Sequence, residues 1–205
     1  MTVLALALPP VGLSADDSLA VTRVYPKNLF RISRYPTGEP YFGNSGGNRF
    51  DAPGWMEGTP EFSSSYLGFS LAVAIAESLL HNEIPANGEF RLSAAALEQH
   101  YVHRFAGKAL RMLNLTGVTL KRLAGNADLA GTASYSITQQ WSLAVFRNPL
   151  NFDGFIYMSR HLNTERAAIL FDRAAAKIQS KPSPLPLPDM PGFAAAAAAF
   201  NIVAI

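Results

Sequence analysis

There is no cysteine among the 205 residues. Disulfides and thiolate metal sites are therefore excluded, and a cytoplasmic setting is expected. Net charge is nearly absent as well. Seventeen basic residues against fifteen acidic ones leave +2, too small a field to argue for nucleic acid or an anionic membrane as partner. No apolar run reaches the length of a transmembrane helix. The opening MTVLALALPPVGL lacks a basic leading region and is interrupted by Pro9-Pro10, so it does not read as a signal peptide. Familiar chemical signatures are missing too. There is no G-x-S-x-G elbow for a triad hydrolase and no Gly-Lys-Ser/Thr after a glycine-rich loop. His100 and His103 stand three residues apart without a third ligand at fitting spacing, so no metal site is expected.

What is present is a chain with 49% hydrophobic residues, enough for one compact domain with a full core. Residues 1–20 read as an N-terminal arm, 21–180 as the body, and 181–205 as a Pro-rich segment followed by an apolar Ala-rich tail. The most informative stretch is YLGFSLAVAIAESLLH, Tyr66 to His81. Ser70 is suited to cap a helix, and Leu71 to Leu80 is almost wholly apolar, too short to span a membrane. Glu77 lies inside it. A carboxylate there is costly unless it is paired, hydrogen-bonded or turned towards a wet cavity. The plain alternative is an acid on the exposed edge of a core helix.

Strands are expected at Val21–Val24, Phe30–Ser33, Ser65–Leu67, Glu89–Leu92, Lys108–Leu115, Phe155–Met158 and Ala167–Phe171. Helices are expected at Ser93–His100, Val118–Leu123 and Thr132–Phe146. Residues 181–191, KPSPLPLPDMP, should be extended and polyproline-like. Between Tyr35 and Ser65 lies a long glycine- and proline-rich loop. Its aromatics Tyr35, Tyr41, Phe42, Phe50 and Trp55 need somewhere to pack, so a loop lying over a cleft is expected. Strands and helices alternate without a βαβ rhythm, which points to an α+β fold.

Within the loop, GNSGG at Gly43–Gly47 could cradle a phosphate, with Arg49 two residues on to fork a pyrophosphate. A plain flexible turn is the simpler account. His81 follows Glu77 by one helical turn and could pair with it or end the helix favourably. Tyr66 at a strand end could stack on a flat ligand with its hydroxyl free, or be a core aromatic. Ser159 ends an apolar strand, where a turn serine is the simpler account.

Taken together, Arg31, GGNRFDAP carrying Arg49, YLGFSLAVAIAESLLH carrying Tyr66 and Glu77, and YMSR carrying Ser159 resemble the RES domain, named for its Arg, Glu and Ser. The resemblance runs from about Phe30 to Asp172. Arg31 is preferred to Arg34 as the first arginine because it follows Phe30 in the strand. Where many members read GGRW, this chain has Gly46-Gly47-Asn48-Arg49-Phe50, and its link from Arg49 to Tyr66 is longer, with WMEGTPEFSS as an insertion. The resemblance implies a fold similar to ADP-ribosyltransferases and an activity that breaks the nicotinamide–ribose bond of NAD+, by phosphorolysis or hydrolysis, in a bacterial toxin. NAD+ would be a substrate, with phosphate a co-substrate and no cofactor. Glu77, Arg49 and Tyr66 would be catalytic, and Arg31, Gly47 and Ser159 would bind substrate. An Xre-type antitoxin would be the partner. Transfer of ADP-ribose to a protein and a non-catalytic binding module are the other functions considered, and homo-oligomerisation is left open.

Overall fold

A computed structural model describes residues 5–54 and 58–205. Its centre is a nine-stranded sheet. In spatial order the strands are β1 (Val21–Val24), β6 (Leu110–Asn114), β7 (Gly154–Met158), β8 (Arg166–Phe171), β3 (Ser64–Gly68), β2 (Phe30–Ser33), β5 (Tyr101–Gly107) and β10 (Leu185–Pro186), with β9 (Ile178–Ser180) also on β5. The pairings are antiparallel except β6 with β7. A parallel pair needs a long crossover. Here it contains helices α3 (Gly117–Arg122), α4 (Asp128–Gly131) and α5 (Tyr135–Phe146). Among the described residues no helix is long and apolar enough to cross a membrane.

Side chains alternate across the strands, so consecutive residues serve different cores. Leu113, Phe155, Ile169 and Phe171 join Trp141 of α5 in one buried cluster. Their neighbours Met112, Ile156, Ala168 and Leu170 pack on the other face with Leu29 and Phe105. The arm lies on the first cluster. Leu6 and Leu13 are buried there, the Trp141 indole donates to Ala7 O at 2.9 Å, and Asn148 Nδ2 donates to Leu13 O and Asp16 O.

Helix α1 (Leu71–Ser78) starts where Ser70 predicts, its hydroxyl accepting the Val73 N–H at 3.2 Å. Such a cap contributes about 0.5–2 kcal/mol. The helix stops at Ser78 rather than Leu80, so His81 belongs to the following turn. Gly68 makes the strand-to-helix join possible. A Cβ there would sit 2.8 Å from Ala74 N and 3.0 Å from Ser70 O.

Tyr101–Gly107, outside the strands that alternation predicts, forms the seven-residue β5. Within it His103 is buried and satisfied through Tyr35 O and the Ser180 hydroxyl. Residues 181–191 are not extended throughout. Leu185–Pro186 pairs with β5, and Leu187–Asp189 forms a 3-10 turn that buries Leu187. The tail contains two elements, α6 (Phe193–Phe200) and then β11 (Ile202–Ala204), which pairs in parallel with β4 (Phe90–Leu92). Phe193, Ala196, Phe200 and Ile202 pack on Leu71 and Ile75 of α1 and their neighbours. The short helix α2 (Ala94–Glu98) is capped by Ser93.

Candidate active site

A cavity of about 330 Å³ opens between β2, β3, the C-terminal half of α1, the arginine turn and the end of β7. Arg31, Arg49, Tyr66, Glu77, Tyr157 and Arg160 are among its lining residues. Of the sequence candidates it therefore gathers Arg31, Arg49, Tyr66 and Glu77. Arg34 is exposed and lies outside the lining.

Glu77 is half-buried on α1. The Ser159 hydroxyl donates to its Oε1 at 2.5 Å and accepts the Leu162 N–H at 2.9 Å. Ser159 is 1% exposed. Its one proton is spent on the carboxylate, so the hydroxyl braces Glu77, and Ser159 also lines an adjoining cavity.

Residues 45–51 hold Arg49. Asp51, 1% exposed, accepts the Ser45 hydroxyl, the Asn48 N–H and the Asn48 amide on Oδ2, and the Ser64 and Tyr66 hydroxyls on Oδ1. Gly47 is exposed, outside the cavity lining, and gives its N–H to Ser45 Oγ. The turn thus cradles an internal carboxylate instead of a phosphate. Helix α5 receives the turn from the other side through residues at i, i+3, i+4 and i+7. The Arg49 guanidinium lies 4.8 Å from the Tyr135 ring centre. Thr138 Oγ1 donates to Arg49 O at 2.6 Å, Gln139 Nε2 to Gly46 O and Asn48 O, and Ser142 Oγ to Phe50 O. Arg49 itself donates to Thr132 O at 2.5 Å. Burial lowers the guanidinium pKa from its ordinary value and Arg160 adds to this, while Tyr135, Tyr157 and Glu77 oppose it. Arginine remains cationic through such a change.

Tyr66 does not keep a free hydroxyl. It accepts the Phe50 N–H at 2.9 Å and donates to Asp51. Burial, then the Asp51 charge, raise its pKa well above the ordinary phenol value. Tyr157, in β7 two residues before Ser159, was missed by sequence reasoning. It is buried, with its pKa raised by burial and by Glu77 and lowered by Arg49. The period-two alternation back from Ser159 could have found it. Arg31 donates to Tyr66 O at 3.0 Å, and its Nε is ion-paired with Glu39 at 2.6 Å without lying on a hydrogen-bond line.

Of the loop aromatics, Phe50 is fully buried against Phe155 and Tyr157, and Phe42 packs partly. Tyr35 and Tyr41 are exposed, contrary to expectation; Trp55 lies outside the described residues. At the rim, His81 and His161 have ring centres 4.4 Å apart. Burial is the main cause of a lowered His161 pKa, with Glu77 opposing and His81, Arg160 and Arg49 adding to it.

The fold is a mixed-sheet α+β domain, and its cavity sets three arginines around a single carboxylate. The chain belongs to the RES domain family, whose model matches residues 28–191. It is similar to the "Probable toxin y4kH" of Sinorhizobium fredii (strain NBRC 101917 / NGR234), at 32% identity over 101 residues, 49% of this chain and 79% of that protein. Its fold is similar to that in "Crystal structure of the M.tuberculosis MbcT-MbcA toxin-antitoxin complex", with TM-score 0.58 and 16% identity over 86% of this chain and 93% of the other.

Proposed function

We propose that this chain degrades NAD+ by cleaving its nicotinamide–ribose bond, and that it is the toxin of a bacterial toxin–antitoxin pair. The carrying observation is one carboxylate, Glu77, held by Ser159 in a cavity whose other permanent charges are Arg31, Arg49 and Arg160. A dinucleotide with a cationic ring at one end and a pyrophosphate in its middle complements that arrangement. The adjoining cavity of about 510 Å³ shares Ala130, Tyr157 and Arg160 and gives room for the remainder of such a ligand.

As the C–N bond breaks, its electron pair goes to the nicotinamide ring, which leaves neutral. Positive charge is left on the sugar, as in glycoside hydrolysis. Glu77 would stabilise that charge. At an effective dielectric of about 20, unit charges 4 Å apart attract by about 4 kcal/mol. Water or phosphate then forms the new C–O bond, giving ADP-ribose or its 1-phosphate; with water, a proton passes to solvent. Arg49 and Arg31 would hold the pyrophosphate, and Arg160 would meet an incoming phosphate. Tyr66 would present its ring face to the nicotinamide while its hydroxyl braces the arginine turn. Gly47 has no part in this chemistry. The likeness to ADP-ribosyltransferases implied by sequence fits this reaction, and an Xre-type antitoxin covering the cavity would be the natural restraint. The toxin–antitoxin title of the structural neighbour and the name of the rhizobial relative support that role.

The test is to incubate the full chain with NAD+, with and without phosphate, and identify the products. Free nicotinamide with ADP-ribose or its phosphate is expected. Label from the ADP-ribose half retained on protein would favour the transferase reading. Intact NAD+ under both conditions would overturn the proposal.

A further inference from the structure

Glu77, His81 and His161 offer a carboxylate oxygen and two imidazole nitrogens, all within 4.8 Å of one another. Two histidines and a glutamate are a donor set that zinc proteins use with a fourth position left open. The three come from two elements tied together at this point. Glu77 and His81 flank the end of α1, and His161 follows Ser159, whose hydroxyl is bonded to Glu77. We infer that these three side chains form a binding site for a zinc-class divalent cation, and that the ion, once bound, takes Glu77 away from the substrate.

Geometry permits it. With metal–ligand bonds of about 2.0–2.1 Å, a tetrahedral ion sets its ligand atoms about 3.4 Å apart. Closing from 4.8 Å needs movement of an ångström or so, and His81 is exposed and His161 half-exposed. The surrounding charge selects the metal. Arg49 and Arg160 both act on His161 as positive neighbours, against a single carboxylate. A hard cation held by charge alone would be repelled. Imidazole coordination favours zinc and its neighbours over magnesium or calcium. The remaining two histidines are committed elsewhere: His100 bonds to Ala96 O, and His103 is fully buried between Tyr35 O and Ser180.

The binding half of this inference stands apart from the NAD+ reading; the inhibitory half rests on it. The full chain is titrated calorimetrically with Zn2+, then Mg2+, in buffer free of phosphate and chelator. One equivalent of Zn2+ and no Mg2+ should bind. His81→Ala, His161→Ala and Glu77→Gln, each verified as folded by its melting curve, should weaken Zn2+ binding at least as much as the roughly 10–100-fold that loss of an outer-shell partner costs. Absence of Zn2+ binding, or wild-type affinity in a folded His81→Ala/His161→Ala double variant, would overturn the site. Zn2+ should also stop NAD+ consumption and a chelator restore it. Full turnover by the zinc-loaded protein would overturn inhibition while leaving the site. No turnover even without metal would sink the NAD+ reading instead, and the loss of Zn2+ affinity in Glu77→Gln would still decide whether the ion engages that carboxylate.

Discussion

The turn at residues 45–51 and the rim made by Glu77, His81 and His161 face one cavity and follow opposite plans. In the turn, Asp51 is sealed from solvent and receives five donors, and helix α5 pairs four backbone carbonyls of residues 46–50. At the rim, Glu77 is half-open, and among the described residues one donor, Ser159, serves it. A saturated polar network fixes shape and has little left to offer a ligand. A carboxylate steadied by one bond keeps capacity for a charge that forms during reaction. The turn therefore fixes where Arg49 lies, and in the proposed reaction the rim carboxylate is the group left to respond.

The sharpest way to separate the two is Glu77→Gln, which preserves shape and removes charge. NAD+ turnover should fall about 100–1000-fold, as when a single preorganised stabilising group is lost, with the melting temperature nearly unchanged. Undiminished turnover would remove Glu77 from the chemistry.

Two buried tyrosines beside these regions, Tyr66 against the turn and Tyr157 near Glu77, give a pH test. Burial raises the pKa of Tyr66 and Tyr157 above the ordinary value. Above pH of about 10, unfolded phenols have lost their protons while these two keep theirs. The unfolded state then binds fewer protons, so stability falls as pH rises, by about 1.4 kcal/mol per pH unit for each tyrosine. Alkaline denaturation curves of Tyr66→Phe should show a shallower slope. An unchanged slope would mean that Tyr66 titrates alike in both states.

Asp51→Asn should reverse the Glu77 pattern. Loss of the charge and of one acceptor leaves buried donors unpaired, at about 1–3 kcal/mol, read in urea denaturation. KM for NAD+ should rise more than kcat falls, since Arg49 is misaimed. A variant as stable as wild type with an unaltered KM would erase the distinction between the regions. The smallest effect should come from Thr138→Val, which removes the hydroxyl bond to Arg49 O. About 1 kcal/mol of stability is expected to go, with kcat unchanged.

Local signals in the chain carried much of this. Ser70 announced α1, and the alternation at Phe30–Ser33 announced β2. The Glu77 anomaly, an acid in an apolar run, led to the cavity. What was not legible depends on partners distant in sequence. GNSGG resembles a phosphate loop, and nothing local shows that Asp51 takes the Ser45 hydroxyl and the N–H of the following Asn48. The strand-end position of Ser159 does not tell that its proton goes to Glu77, 82 residues away. The i, i+3, i+4, i+7 row on α5 could have been read as a polar face, although not what it would face. His161 gave no signal at all, because nothing local links it to His81.

Ser159 and Glu77 lie 82 residues apart along the chain, and Gln139 and Gly46 lie 93 apart. Contacts of such span form late, after the intervening chain has organised. A ribosome that has just added Phe146 has already made Glu77 and Arg49, but not the strand that delivers Ser159. Under the proposed chemistry, the site stays incomplete until the strand ending at Met158 has been made and Ser159 has reached Glu77.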